Sequence, residues 1–358
     1  MKKVVLSVAA LFVGAIAFAQ FNNSVVDQIG NGNSSSVSQT GLSNDSYVLQ
    51  LGDGNESSVM QVGTTNESTV WQTGNDNDSS VDQNGTSNDS FVWQDGDDNT
   101  SSVDQDGTTN DSYVDQWGNN NDSSVDQNGT SNNSIVLQGY PGNDHSSSVT
   151  QNGTDNDSWV YQRGGNGNSS SVLQVGADNI STVDQIGNTN TSQVQQGGNN
   201  NNSDVDQLGD NNNSFVIQGF TNNDNISVVD QNGDGNNSFV DQWGDANESY
   251  VNQVGDGNSS AVFQGLFGIG DNNLSTVDQL GDGNTSSVTQ RGDLNVSDVD
   301  QTGDMNTSTV FQDGLTNDSF VNQLGNSNTS SVSQTGLSHT SVVNQIGNGN
   351  GSTVTQSN

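Results

Sequence analysis

The sequence predicts an all-β fold: a two-sheet β-solenoid of about 15 stacked strand-turn-strand coils, 22 residues per coil. Three features lead there. First, one unit recurs every eleven residues from Asn22 onward. Asn55, Ser57, Val59 and Gln61 return as Asn66, Ser68, Val70 and Gln72, and Gln residues from Gln28 to Gln356 anchor 30 such units. Second, the fixed residues are alternate ones. Every unit has Val two residues and Ser four residues before its Gln, and 28 of the 30 have Asn six before. A period of two inside a longer period marks strands in a repeat architecture. Third, a period of 22 is superposed. Three residues before the Gln, Tyr47, Phe91, Tyr113, Ile135 and Trp159 occupy odd units, whereas Ser36, Ser58, Ser80, Ser102, Ser124 and Ser148 occupy even ones. One coil therefore comprises two units, each giving a strand to one of two sheets. The alternation weakens after Val172, where Phe215 and Phe239 fall in even units.

Taken in order, residues 1–19 read as a secretory signal: Lys2 and Lys3, an apolar run from Val4 to Ala17, and small residues at Ala17 and Ala19. That run is too short to span a bilayer. Residues 20–358 form the repeat region. Each unit reads as a strand (Asn-x-Ser-x-Val-x-Gln) followed by a turn in which Gly supplies positive φ. Spacing departs from eleven at four places: thirteen from Gln138 to Gln151 and from Gln218 to Gln231, fifteen from Gln264 to Gln279, and twelve from Gln162 to Gln174. At the three longer ones Gly directly follows the Gln (Gly139, Gly219, Gly265), and the loops carry Tyr140, Phe220, Leu266, Phe267 and Ile269. Pro141, the one proline, lies in such a loop, as ladder pairing requires. Turn insertions leave a solenoid's register intact.

Composition alone would suggest disorder, since only 27% of residues are hydrophobic and the net charge is −38. Periodicity overrides that default. Inward Val and Ser are small enough for two sheets to approach closely, and Asn and Gln at the strand ends can stack on their own copies. Two valines per coil cannot offset the ordering of 22 residues, so a lone coil should be unfolded and stability should come from neighbouring coils. Stacked at ~4.8 Å, fifteen coils would extend on the order of 70 Å.

The run Ser-x-Val-x-Gln-x-Gly-x-x-Asn-x-Ser-x-Val-x-Gln resembles the curlin repeat of curli subunits, the secreted bacterial amyloid proteins, and does so across residues 22–356. The resemblance implies a structural subunit of extracellular fibres in biofilm matrix and adhesion. It would polymerise with copies of itself by end-to-end strand stacking, with a nucleator and secretion accessory proteins as partners and a secreted or cell-surface location. Three departures stand out: about fifteen coils rather than about five, repeats that begin almost at once after Ala19, and heavy acidity.

Charge and residue content narrow the chemistry. With Lys2 and Lys3 in the signal, Arg163 and Arg291 remain as the only strong bases against 42 acids, a surface that repels nucleic acid and anionic membranes. No membrane insertion is expected. Without Cys there is neither a disulfide framework nor a thiolate metal site. His145 and His339 replace Asn in the repeat and are read as polar groups at the ladder ends. No Ser has a basic partner in the pattern to activate it, so no enzyme and no cofactor are expected. Arg291-Gly292-Asp293 resembles an adhesion tripeptide, but Gly292 is simply the repeat glycine.

Two outward columns carry more. Asp82, Asp104 and Asp126 recur on one sheet, and Asp184, Asp206 and Asp230 on the other; in-register stacking would place carboxylates ~5 Å apart, raising their pKa values or recruiting cations such as Ca²⁺. The plainer expectation is a solvated, solubilising face. Tyr47, Trp71, Phe91, Trp93, Tyr113, Trp159 and Tyr161 form an aromatic column suited either to lateral association or to cross-coil stacking alone. The rival functional reading is a monomeric secreted β-solenoid binding module, adhesive or ice-binding. The mixed outward Ser, Asp and aromatics fit a flat ice lattice poorly.

Overall fold

The computed structural model describes residues 21–139, 141–219, 222–265 and 270–358. The signal residues 1–19, and the loop residues Tyr140, Phe220, Leu266, Phe267 and Ile269, lie outside the described residues. Two parallel sheets of fifteen strands face each other, one holding the odd units from Asn23–Ile29 to Thr340–Ile346, the other the even units from Ser34–Leu42 to Gly351–Ser357. Each strand pairs with the strand of its own sheet one coil away, so Val26 meets Val48 and Val59 meets Val81, 22 residues apart. Where the spacing lengthens, the register holds: Val125 still meets Val149, and Val251 meets Val277. Two of these loops pair with each other through Gly142–Asn143 and Gly165–Asn166.

The strands differ from the seven-residue expectation. In the odd sheet all but Asn133–Gln138 run seven residues, as in Asp45–Leu51, but begin one residue after the Asn and end one after the Gln. In the even sheet several extend to nine, as in Glu56–Thr64, so Gly63 lies in the strand rather than the turn. The cause is coil-to-coil pairing, which continues through the glycine: Gly63 sits opposite Gly85. That contact also explains why the position is glycine. At Gly107 (φ +134) a Cβ would lie 1.9 Å from the Gly129 carbonyl oxygen.

The interior is one continuous cluster of valines from Val48 to Val343, contributed by both sheets and flanked by buried Ser, Asn and Gln. Gln does most of the tying. Gln61 Nε2 donates to Gln83 Oε1 in the next coil at 2.8 Å and to the Asp45 carbonyl of the other sheet at 2.8 Å. Asn holds the turns: Asn77 N–H and Nδ2 both donate to Asn55 Oδ1 at 3.1 Å, and Nδ2 also reaches the Gly96 carbonyl at 2.7 Å. A buried amide satisfied this way avoids the desolvation cost of an unpaired polar group. One feature escaped sequence reading. Among the described residues 22 non-glycine residues have positive φ, all immediately before a ladder Asn or His, Thr65, Met305 and Thr316 among them.

Candidate functional site

The interior ladder residues picked from sequence lie where the pattern pointed. Asn55, Ser57, Val59, Gln61, Asn66, Ser68, Val70 and Gln72 are all at most 2% exposed. This ladder is a scaffold with no reactive grouping. What it presents to another molecule are its two edges and its outward columns.

At one edge lie Asn23–Ile29 and Ser34–Leu42, at the other Thr340–Ile346 and Gly351–Ser357, and among the described residues no strand pairs with their outer sides. The edges carry exposed aliphatics on the odd sheet. Val25 is 41% and Ile29 67% exposed; Val342 is 71% and Ile346 70%. An open strand edge with apolar neighbours is a pairing template.

The acidic columns are in register. Asp82 faces Asp104, which faces Asp126; on the other sheet Asp184 faces Asp206, which faces Asp230. Burial raises the Asp104 pKa above the ordinary carboxylate range, and the charges of Asp82, Asp126 and Asp106 add to it. Asp82 is raised by burial and by Asp106, and Asp230 by burial. Burial, helped by Asp204, Asp184 and Asp230, pushes Asp206 to about 6, against the pull of Arg163. Arg163 forms an ion pair with Asp184 at the start of that column. Among the described residues no group of three or more His, Asp or Glu side chains is gathered so as to hold a metal ion. The columns are strings of neighbours, with no common focus.

The aromatic column is partly knitted together. Trp71 packs edge-on against Phe91 and Trp93, both at 5.7 Å, and Phe91 stacks on Tyr113 at 5.2 Å. Tyr47, Trp159 and Tyr161 lie on the same sheet and are half-buried. Sequence reading missed Trp117, which continues the column against Trp93 at 5.5 Å from the position after the Gln. It also missed Phe263, which joins Phe215 and Phe239 in a second cluster on the even sheet. Examining both outward positions on each side of the Gln would have found them. A second ring cluster thus lies on the even sheet, while Tyr250 and Phe320 place further rings on the odd sheet.

His145 takes the place of an amide. Its N–H donates to Asn121 Oδ1 at 3.1 Å, and its Nδ1 accepts the Asn168 N–H at 3.3 Å, as an Asn Oδ1 would. Burial lowers its pKa to about 4. His339 N–H likewise donates to Asn317 Oδ1 at 3.1 Å. The two imidazoles belong to distant coils. Among the described residues no helix is long and apolar enough to cross a membrane.

The sequence matches the family model of the curlin associated repeat eight times, over residues 36–63, 52–85, 80–107, 102–129, 118–153, 269–292, 281–314 and 309–336. Together these matches cover more than half of the chain. The stretch between the two groups of matches contains the cluster of Phe215, Phe239 and Phe263. No curated protein matches the chain.

Proposed function

The chain belongs to the curlin-repeat family, and on that footing we propose that it is a structural subunit of extracellular curli-like amyloid fibres, serving biofilm matrix and adhesion. The observation that carries this reading is the pair of open edges. The coil of Asn23–Ile29 presents the same Asn, Ser, Val and Gln pattern that interior coils use to bind one another, and the coil of Thr340–Ile346 presents it with His339 in one Asn place. A second copy set on an edge would find the surface that every interior coil finds. The chain acts by assembly and catalyses nothing. Residues 1–19 direct its export, and a nucleator and secretion accessory proteins act with it.

Purified mature protein should form unbranched fibres in electron micrographs, with an amyloid-dye signal and ~4.8 Å diffraction along the axis. A particle that stays monomeric at all concentrations would reject the polymer and leave the rival monomeric binding module. The acidic columns add a regulatory reading: Ca²⁺ along Asp82, Asp104, Asp126, Asp184, Asp206 and Asp230, or mild acid acting at Asp82, Asp104, Asp206 and Asp230, lessens repulsion on the flanks and speeds growth. Growth rates that ignore Ca²⁺, EDTA and pH would remove it.

A further inference from the structure

Beyond Lys2 and Lys3 the chain has two strong bases, Arg163 and Arg291, and their surroundings match. Each directly follows a ladder Gln, one coil beyond a coil in which Gly directly follows the Gln (Gly139, Gly265). One coil before that glycine both stretches read Val-Asp-Gln-Trp-Gly, with Asp115 and Trp117 in one and Asp241 and Trp243 in the other. Trp, Gly and Arg thus succeed one another over three paired strands, once on the odd sheet and once on the even sheet. The remaining long loop, at Gly219, has Gln195 and Gly197 in the coil before it and no Arg in the coil after it. Loop insertion by itself therefore does not call for the set.

The glycine opens a slot in the outward column. At Gly139 (φ +89) a Cβ would lie 1.7 Å from the Trp117 carbonyl oxygen, and at Gly265 (φ +66) 1.5 Å from that of Trp243. No side chain is possible at that position of the middle coil. The walls are then two strand spacings apart, roughly 10 Å, which leaves room for one more ring between them. In the first slot this space is a cavity of about 250 Å³ against Asp115, Trp117, Leu137, Tyr161 and Arg163. Leu137 pairs with Asp115 on one side and Tyr161 on the other; in the second slot Phe263 holds the same place between Asp241 and Thr289.

Both walls leave the space open. Arg163 leans away from it onto Asp184 of the next coil, and Arg291 leans the same way, 5.3 Å over the Phe311 ring. On the other wall each Trp side chain hydrogen-bonds the Asp of its own strand. Each of these Asp residues nevertheless keeps Oδ1 buried without a hydrogen-bond partner, and among the described residues no other carboxylate does so. Arg291 Nε is likewise buried and unpartnered. Unpaired buried polar atoms are costly, and the last torsion of an Asp side chain is soft enough to turn such an oxygen toward the slot.

We propose that each slot holds one pyranose ring of an uncharged polysaccharide, giving one subunit two glycan sites. Apolar and aromatic walls with a few polar groups are the usual make-up of a small-ligand site. The C–H faces of the sugar lie against the Trp ring and, in the first slot, Tyr161. Its hydroxyls both donate and accept, so they serve the Asp oxygen and the Arg N–H groups together. A flat hydrocarbon ring would fill the gap and leave those atoms unpaired. The net charge of −38 repels acidic glycans. The slots sit at the sixth strand of the odd sheet and the eleventh of the even sheet, five coils apart. That is roughly 24 Å along the stack and on opposite faces, so one subunit can bridge two glycan chains. The inference does not depend on the fibre reading, since both slots lie within a single copy.

Calorimetric titration of the mature chain with hexaoses of β-1,4-linked and α-1,4-linked glucose tests it. At least one hexaose should bind, two molecules per subunit. Trp117→Ala and Trp243→Ala should each reduce the number to one, and the double variant to none. Asp115→Asn keeps the side-chain shape and should weaken the first site about tenfold, the loss of a charged hydrogen bond. It carries the test should a Trp variant fail the circular dichroism check of folding. Binding of neither hexaose at millimolar concentration, or unchanged stoichiometry in the folded double variant, would overturn the slots. Glucose bound as tightly as the hexaose would overturn the polymer, and polygalacturonate bound as tightly would overturn the uncharged class. Micrographs of the same samples keep the two readings apart: a subunit that binds two hexaoses and never polymerises rejects the fibre and retains the slots.

Discussion

Gly107→Ala tests whether coils approach so closely that one methyl separates them. Its Cβ would sit 1.9 Å from the Gly129 carbonyl oxygen, and φ of +134 is a region that L residues avoid. Gly235 provides the control: φ is +68, and nothing lies within 4 Å of its Cβ. Gly235→Ala should therefore cost only the left-handed strain, about 1 kcal/mol. At Gly107 backbone strain costs about 1–3 kcal/mol. The clash also forces loss of a coil-to-coil hydrogen bond or two, at about 0.5–1.5 kcal/mol each. The sum is roughly 2–6 kcal/mol, among the larger effects of single substitutions. Urea unfolding measures the difference, and hydrogen exchange should show lost protection centred on the coils of Thr100–Thr108 and Asp122–Thr130. Equal destabilisation by the two variants would refute the contact and leave conformational freedom alone to explain the repeat glycine.

Thr316→Gly should stabilise by about 1 kcal/mol in the same assay, because a β-branched residue holds φ +55 there. Ser112→Ala should stabilise or be neutral, since the buried Ser112 hydroxyl has no hydrogen-bond partner in this structure; a loss above about 1 kcal/mol would mean that the hydroxyl is satisfied after all. Asp89, Asp115 and Asp206, raised to about 6 chiefly by burial, bind protons more tightly folded than unfolded. Their contribution is complete below the unfolded carboxylate pKa near 4 and is lost as pH rises through about 6, so melting temperature should rise on going from pH 7 to pH 5. His145, lowered to about 4, acts in the opposite sense: its contribution is complete above its unfolded pKa of about 6.5 and is lost as pH falls toward 4. His145→Asn should therefore enlarge the rise. A melting temperature that falls steadily on acidification would contradict the ordering.

Residue pattern alone determined the architecture. Alternation fixes which side chains face inward, and an unbroken repeat allows only in-register stacking, because a one-residue slip would turn every Val to solvent. The period of 22 likewise assigned each unit to its sheet, from residues such as Tyr47 and Ser58. What tertiary structure decided are matters of distance and direction, which a one-dimensional pattern does not contain. The glycine's close contact, the left-handed residue before each ladder Asn, and the packing of Trp117 on Trp93 arise between residues a full coil apart. So does the direction of the Gln ladder. A side-chain amide can point either way along the stack, and only the main-chain carbonyl that its Nε2 meets in the opposite sheet selects one.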